Sequence, residues 1–255
     1  MDLRSVKAVV TGGASGLGQA TVTRIIAAGG RATMFDLASS KGADLAKTLG
    51  ERATFTAADV TSGPAIESAL TAARTAMDGV NVLVNCAGIG TAMKTVGKQG
   101  PARLEDYTRV ITVNLIGTFN CIRLAAAVMA TNTPTAEGER GVVINTASVA
   151  AFDGQIGQAA YSASKGGVAA LTLTAARDLS AVGIRVCTIA PGLIDTPLLG
   201  TLPDDQRTVL AQSVLFPKRL GTADDFASLA LELVRNHYLN GEVIRLDAGI
   251  RMPPK

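Results

Sequence analysis

The chain has 255 residues, of which 47% are hydrophobic and 18% are charged. The charged fraction lies below the roughly 25% of an average domain, and the length suits one large α/β core, so we expect a single domain over residues 1–255. The net charge of +3 is small and the basic residues are scattered, which excludes the basic stripe of a nucleic-acid-binding protein. We therefore expect no nucleic-acid partner.

Cysteine and histidine supply little material for disulfide or metal chemistry. Cys86, Cys121 and Cys187 lie in apolar patterns without Cys-x-x-Cys spacing, which is typical of reduced core residues. His237 is the single histidine, so we expect it to be structural, and we expect no metal site and no Ser-His-Asp triad. The first predicted strand begins close to Met1 and no apolar run reaches the ~20 residues of a membrane span, which predicts a cytoplasmic protein without membrane contact.

Predicted strands alternate with predicted helices along the whole chain. The strands cover residues 6–10, 31–35, 53–56, 80–84, 142–146, 184–190 and 242–246. This alternation predicts an α/β fold in which a doubly wound, seven-stranded parallel sheet carries helices on both faces, the Rossmann architecture.

The remaining segments complete this prediction. Long helices are predicted over residues 104–130 and 161–181, and the polar stretch 131–140 is predicted to be a surface loop. Residues 193–215 lack a strand pattern and carry several leucines, which suggests a lid over a substrate.

A glycine-rich turn links the first strand to the first helix. Gly12, Gly16 and Gly18 fall where a tight turn, a close backbone approach and a helix N-terminus together bind a pyrophosphate. Their Gly-x-x-x-Gly-x-Gly spacing differs from the commoner Gly-x-Gly-x-x-Gly fingerprint. Taken alone, the three glycines also fit an ordinary glycine-rich turn.

Asp36 ends the second predicted strand, 18 residues after Gly18. At about this offset an acid accepts hydrogen bonds from the ribose hydroxyls of a dinucleotide, and its charge repels a 2′-phosphate. Ser15 and Leu37 are not basic, and Arg31 lies at the far end of the strand, so the sequence favours NAD over NADP. An acid at the end of a strand also fits a simple helix cap.

The segment after the fifth predicted strand brings three reactive groups together. Tyr161 and Lys165 are spaced to share one helix face, and Ser148 follows the strand directly. A neighbouring ammonium is expected to lower the phenol pKa of Tyr161 from about 10 and so favour its use as a general base. The pair by itself also fits a solvated helix face.

Two features of the sequence resemble the short-chain dehydrogenase/reductase family: Ser148 together with Tyr161-Ser-Ala-Ser-Lys165, and the spacing of the three glycines. The resemblance covers essentially the whole chain. It implies that Asn114 is a fourth catalytic residue, although an isolated Asn in a helix also fits a polar surface position. It also implies NAD as cofactor and a homotetramer. The implied cofactor-binding residues are Gly12, Ser15, Gly16, Leu17, Gly18, Asp36, Asp59, Val60, Asn85, Ala87, Gly88, Tyr161, Lys165, Pro191, Gly192, Ile194 and Thr196.

The resemblance implies roles for particular segments and side chains. Asn85-Cys86-Ala87-Gly88 resembles the family's Asn-Asn-Ala-Gly motif, with cysteine replacing its second asparagine. Tyr161 is implied as the base that takes a hydroxyl proton during hydride transfer, Ser148 as the donor to the developing carbonyl, and Lys165 as the group that also holds the nicotinamide ribose. We expect Gln155 to contact the substrate, although a polar loop residue without a role fits equally well.

Three blocks, residues 138–141 with 145–152, 190–193 with 196–199, and 239–247 with 250–252, resemble the branch of the family that oxidises short and branched 3-hydroxyacyl-CoA esters, so we expect an acyl-CoA substrate. We expect four apolar residues to line the site of the acyl chain: Met93, Leu198, Leu199 and Leu202. We expect three basic residues to contact coenzyme A: Lys94, Lys98 and Arg103. Ordinary solvated side chains fit the three basic positions as well. The alternatives are a 3-oxoacyl thioester or hydroxysteroid reductase and a non-catalytic cofactor-binding subunit.

Overall fold

The computed structural model describes residues 1–98, 100–197 and 204–254, and of residues 204–207 the backbone alone. Seven strands form the main sheet: β1 (Lys7–Thr11), β2 (Arg31–Asp36), β3 (Ala53–Ala57), β4 (Val82–Asn85), β5 (Gly141–Thr146), β6 (Ile184–Pro191) and β7 (Val243–Leu246). Every neighbouring pair is parallel, in the order β3-β2-β1-β4-β5-β6-β7. The predicted doubly wound parallel sheet is confirmed, with strand bounds shifted by no more than two residues.

Helices cover both faces of the sheet, because each strand is apolar on both sides. They are α1 (Gly16–Ala27), α2 (Gly42–Leu49), α3 (Gly63–Met77), α4 (Leu104–Ile111), α5 (Gly117–Met129), α6 (Ala159–Ser180), α7 (Asp204–Ser213) and α8 (Ala223–Arg235). Val9 of β1 packs into the layer that includes α3 and α5, and Val10 into the layer that includes α1 and α8. Successive residues of one strand therefore serve two separate cores.

A row of polar side chains crosses the centre of the sheet at one register position. Thr11, Asn85, Asn145 and Thr188 are aligned on β1, β4, β5 and β6. Asn85 Nδ2 donates to Asn145 Oδ1 over 2.9 Å, and the hydroxyl of Thr188 lies 2.6 Å from that of Thr172 on α6. All five side chains are buried, so each must find a partner inside the protein. The row therefore fixes the strand register and ties α6 to the sheet.

The predicted helix over residues 104–130 exists but is not uniform. A π-helical turn, Thr112–Ile116, joins α4 to α5. Such turns insert one extra residue and re-aim the side chains that follow. Gly117 lies close to the loop that follows β3, and a side-chain carbon added at Gly117 would lie 2.7 Å from Val60 Cγ2. Hydrophobic periodicity alone does not reveal this irregularity.

Within the described residues, one helical stretch is long and apolar enough to span a membrane. It is Leu104–Met129, with a mean hydropathy of 1.5, and half of its most apolar window is buried inside the protein. Its inner face, including Cys121, Ile122 and Met129, packs into the core beside the sheet. This helical stretch is therefore longer than the apolar runs considered in the sequence analysis. It packs against the sheet as a core helix does.

The cysteines and the histidine behave as structural residues. Cys86, Cys121 and Cys187 are free thiols, and burial raises the pKa of Cys86 and of Cys121 to about 12. His237 contacts Glu137 and the amino group of Met1. No group of three or more His, Cys, Asp or Glu side chains in the described part of the chain could hold a metal ion.

Most of the loop over residues 131–140 is exposed, as predicted, but Glu139 is buried. Glu139 is 7% exposed and accepts a hydrogen bond from Nε of Arg185 on β6 at 2.9 Å, and Nη2 of Arg185 lies 2.8 Å from the same oxygen. Arg185 is also buried and donates to the carbonyl oxygens of Leu233, near the end of α8, and of Leu239, which follows α8. This buried ion pair holds the loop and α8 against β6. Residue composition alone does not indicate such a contact.

We predict that Glu139→Gln lowers the free energy of unfolding, because it leaves the buried Arg185 guanidinium without its counter-ion. Removing one partner of a buried pair costs about 3–5 kcal/mol. Glu137→Gln on the same loop is the matched control, since Glu137 is 70% exposed and should change stability little. Denaturant unfolding monitored by circular dichroism measures both variants, and equal effects would contradict the assigned role of Glu139.

Candidate active site

The order of the strands reverses between β1 and β4, and the predicted dinucleotide site lies at their carboxyl ends. Gly12 has a φ of +62°, and a side-chain carbon there would lie 2.8 Å from the backbone nitrogen of Ala87. A carbon on Gly18 would lie 2.2 Å from the carbonyl oxygen of Gly12. Both glycines are therefore required by contact between backbones, which fits the predicted dinucleotide site and an ordinary tight turn alike.

The N-terminus of α1 opens onto this loop. Ser15 is its N-cap residue, and the Ser15 side chain makes no capping hydrogen bond. The first amides of α1, including that of Leu17, therefore retain the capacity to bind an anion, which the helix dipole also favours. Across the loop, a carbon on Gly16 would lie 3.4 Å from Pro197 and 3.7 Å from Thr196. The predicted pyrophosphate loop and the predicted nicotinamide segment thus face each other.

Asp36 lies where the sequence placed it, as the last residue of β2. Its carboxylate accepts hydrogen bonds from the amides of Ala14 at 3.1 Å and of Leu37 at 2.8 Å. The side chain caps no helix, because α2 begins six residues later at Gly42. The bonds to Ala14 and Leu37 hold the carboxylate against the glycine loop, at the edge where a ribose would lie.

Asp59 and Val60 follow β3 on the same side of the sheet. The Asp59 carboxylate accepts hydrogen bonds from the amide and hydroxyl of Thr61, at 2.9 and 2.8 Å. Val60 is buried, and its carbonyl oxygen accepts a hydrogen bond from Asn120 of α5 at 2.9 Å. The Asp59–Val60 turn is therefore ordered by the chain itself, which suits a wall for an adenine ring.

Asn114 is fully buried, so the reading of a polar surface residue is wrong. Its side-chain oxygen accepts a hydrogen bond from the amide of Ile89 at 2.8 Å, and its amide nitrogen donates to the carbonyl of Ile89 at 2.9 Å. The same nitrogen donates to the hydroxyl of Ser164 at 3.0 Å. Because Asn114 lies in the π turn, that turn is what directs its side chain to the loop after Gly88.

Burial raises the pKa of Tyr161 above its ordinary value of 10, and the nearby hydroxyl of Ser148 opposes this rise. The amide of Ala150 donates to the Ser148 oxygen at 3.1 Å, which holds the serine side chain in place. The predicted serine and tyrosine therefore lie next to each other in the structure.

The Lys165 side chain is buried behind the tyrosine, with its nitrogen 5.8 Å from the centre of the phenol ring. This nitrogen donates to the carbonyl oxygen of Thr146, at the end of β5, over 2.7 Å. Burial lowers the pKa of Lys165 to about 8. The sequence prediction that Lys165 lowers the pKa of Tyr161 is not met in this structure, because desolvation of the phenol is the larger effect.

Two functional neighbours were missed in the sequence. Thr146 supplies the acceptor for Lys165, and Ser164 joins Asn114 to the carbonyl oxygen of Tyr161, which it bonds at 2.8 Å. Ser164 could have been found, since it lies three residues after Tyr161 on the same helix. Thr146 acts through its backbone carbonyl, for which the residue type carries no signal.

Gln155 lies in the loop between Ser148 and Tyr161, as predicted. Its amide nitrogen donates to the carbonyl oxygen of Pro253 at 3.0 Å, so the chain itself occupies the group that was expected to contact substrate. On the other side of this loop, the amide of Met93 donates to the carbonyl of Gly157 at 2.7 Å. Met93 thus borders the catalytic segment, as expected of a cleft residue.

The segment 191–197 runs from the end of β6 toward the glycine loop. Pro191 and Ile194 are buried, and Gly192 packs so tightly that an added carbon would lie 2.8 Å from Asp247. Of the predicted lid over residues 193–215, the structure describes 193–197 and 204–215. Leu198, Leu199 and Leu202 lie outside the described residues. A cavity of about 230 Å³ near Ile194 is lined by none of the four predicted catalytic residues.

The glycine loop at the switch point, next to Ser148, Tyr161 and the buried Lys165, is the arrangement expected of a nicotinamide-dependent oxidoreductase. The comparisons agree with this class. The profile of the short chain dehydrogenase family matches residues 6–207, and the chain belongs to that family.

Several relatives of this chain share the name 3-hydroxyacyl-CoA dehydrogenase type-2. A 3-hydroxyacyl-CoA dehydrogenase type-2 of Bos taurus is 57% identical over 98% of both chains, and one of Drosophila melanogaster is 52% identical over 99% of this chain and all of its own. The crystal structure of a 3-hydroxyacyl-CoA dehydrogenase type-2 from Mycobacterium avium, 45% identical, superposes with a TM-score of 0.95 over 99% of this chain and 98% of its own. The prediction of an enzyme is confirmed, and the alternative of a non-catalytic subunit is set aside.

Proposed function

We propose that this chain catalyses the NAD-dependent oxidation of the 3-hydroxyl group of a short or branched 3-hydroxyacyl-CoA to a 3-oxo ester. The single observation that carries the chemistry is that Ser148 and the buried amine of Lys165 both lie beside the Tyr161 phenol. The substrate class is supported by the names of the relatives and by the three sequence blocks that resemble that branch of the family.

The residues present fit a nicotinamide dinucleotide, since the cradle of Gly12 and Gly18 leaves no room for side chains and the α1 N-terminus retains its amides. When bound, the nicotinamide supplies the acceptor for the substrate hydride. Tyr161 Oη takes the hydroxyl proton, and Ser148 donates a hydrogen bond to the substrate oxygen as it becomes a carbonyl. Lys165 keeps a positive charge beside the phenol while the proton is taken.

The pH dependence of oxidation should report the proton of Tyr161, because the phenol must lose this proton before it can take the substrate proton. Burial raises the pKa of Tyr161, so kcat/KM for oxidation should rise with pH toward that raised pKa, and kcat/KM for reduction should fall. Lys165→Met removes the ammonium that favours the phenolate, so its oxidation profile should move to higher pH.

Tyr161→Phe is the companion variant. It removes the transferable proton and should abolish turnover, while dinucleotide binding measured by fluorescence titration stays near the wild-type value. Superimposable pH profiles for the wild type and Lys165→Met, or near-normal turnover in Tyr161→Phe, would contradict the assigned base.

Asp36 supports NAD as the preferred cofactor. Its carboxylate is held against the glycine loop, where it would accept hydrogen bonds from the ribose hydroxyls of NAD and repel the 2′-phosphate of NADP. This favours the dehydrogenase over the alternative of an NADPH-dependent reductase of the same family.

We predict that kcat/KM for NAD exceeds that for NADP in the wild type and that Asp36→Ala narrows the ratio by about tenfold, by removing charge repulsion. NAD should also lose affinity, because the loop loses the bond to Ala14. Asp44→Ala on α2 removes an exposed acid elsewhere and serves as control. A wild-type preference for NADP would exclude the proposal.

The loop after Gly88 supports recognition of coenzyme A. Lys94 and Lys98 are exposed, close in sequence to Met93, which is bonded to the catalytic segment. Arg103 lies 3.7 Å from the carboxylate of Glu105, so its charge is partly neutralised. We therefore assign phosphate recognition mainly to the two lysines.

We predict that acetoacetyl-CoA is reduced with a higher kcat/KM than a free acetoacetate ester, and that this advantage shrinks at high salt. Lys94→Ala with Lys98→Ala should lower kcat/KM for acetoacetyl-CoA by about tenfold and leave the ester unchanged. The double variant Lys41→Ala, Lys47→Ala is the control, because it also removes two positive charges. Equal kcat/KM for both substrates in the wild type would reduce the proposal to a secondary-alcohol dehydrogenase of unidentified substrate.

We also propose that the chain forms a homotetramer. Ile116 and Phe119 on one helix and Leu173 on α6 are apolar and 46–52% exposed, which suits cover by a second subunit. Light scattering at micromolar concentration should give the mass of four chains, and Phe119→Asp should dissociate it. Val96→Asp, at an equally apolar position in the loop after Gly88, should not. A wild-type monomer would contradict the proposal.

A further inference from the structure

The last described residues of the chain fold back onto the loop between Ser148 and Tyr161. The amide of Ile156 donates to the carbonyl oxygen of Pro254 at 3.0 Å, and Gln155 donates to that of Pro253 at 3.0 Å. We call residues 152–158 the substrate loop and residues 247–254 the C-terminal strap. The substrate loop is therefore held by backbone and side-chain hydrogen bonds from a segment about a hundred residues away.

Arg245 is the centre of this connection. From the end of β7, its guanidinium donates to Asp153 at 2.6 Å and to Asp247 at 2.7 Å, and it lies 5.4 Å from the centre of the Phe152 ring. It also donates to the carbonyl oxygen of Ile250 at 3.1 Å. One largely buried side chain therefore binds both the substrate loop and the strap, with charge-assisted bonds at each end.

Asp153 is the matching acceptor on the substrate loop. It receives the bond from Arg245, and that bond holds its pKa below the ordinary value. Its carboxylate is 20% exposed, so the pair is only partly screened by solvent. The ion pair between Arg245 and Asp153 therefore connects β7 to the substrate loop, which begins four residues after Ser148.

The strap also contacts the predicted cofactor side of the site. The amide of Gly192 donates to the carbonyl oxygen of Leu246 at 2.9 Å, and a carbon added to Gly192 would lie 2.8 Å from Asp247 and 3.4 Å from Ile250. The strap thus touches the nicotinamide segment and the substrate loop at once. A displacement of either one is transmitted to the other through contacts that leave no spare room.

We propose that Arg245 and Asp153 are positioning residues for the reaction, which bind the C-terminal strap to the substrate loop and so hold Gln155 and the segment that joins Ser148 to Tyr161 in the reactive arrangement. The loop presents Phe152 and Ile156, which are 53% and 52% exposed, toward solvent. Such apolar side chains suit contact with an acyl group. The nature of that substrate rests on the proposed function.

The test compares Arg245→Met and Asp153→Asn with Arg251→Met. Arg251 also bonds Asp247, at 3.1 Å, but is 62% exposed, which makes it a matched control. For acetoacetyl-CoA reduction, we expect kcat to fall by about tenfold in the first two variants and by less than about twofold in Arg251→Met. Dinucleotide affinity should stay within about twofold of the wild type.

Two further measurements separate positioning from general destabilisation. The double variant should be no slower than the slower single variant, because both changes break one contact. Arg245→Lys should recover part of the rate, and together with Asp153→Asn it carries the test if Arg245→Met does not fold.

Hydrogen exchange makes the test independent of the substrate. The amides of residues 155 and 156 should exchange about tenfold faster in Arg245→Met or Asp153→Asn than in Arg251→Met. Absence of wild-type activity with acetoacetyl-CoA would defeat the proposed function alone. Unchanged exchange, or a kcat in both variants equal to that of Arg251→Met, would overturn the positioning role.

Discussion

The site depends on a single buried amine. Lys165 has to lose its water to lie behind the phenol of Tyr161, and the bond to the carbonyl of Thr146 is its principal compensation. This bond holds the start of α6 against the end of β5, which brings Tyr161 next to Ser148. The lowered lysine pKa and the raised tyrosine pKa are two results of the same desolvation, and they move the two titrations apart.

The surrounding framework is a sheet that tolerates polar groups only when they are paired. The row from Thr11 to Thr188 aligns four strands just below the site, and Asn114 uses both ends of its amide to hold the loop after β4. These bonds fix the backbone to which the reactive side chains are attached. A dinucleotide and a substrate can therefore meet at a prearranged edge, with little reorganisation at the moment of reaction.

The two halves of the site are built differently. The predicted dinucleotide half, at β1, β2 and β4, is made of glycines and backbone amides whose positions are set by steric contact, as at Gly12 and Gly18. The predicted substrate half, after β5 and β6, is made of loops joined by side-chain ion pairs such as Arg245 with Asp153.

The sequence by itself determined the seven parallel strands and the positions of Gly12, Asp36 and Tyr161, because these follow from local periodicity, from spacing along one element and from the position of a residue at a strand end. It could not determine the π turn at Asn114, the burial of Glu139 or the contacts of Gln155. Each of these depends on groups about 25 to 100 residues away that meet through packing. The direction of the Tyr161 pKa was likewise decided by tertiary structure, since desolvation depends on what surrounds a group and not on its neighbours in sequence.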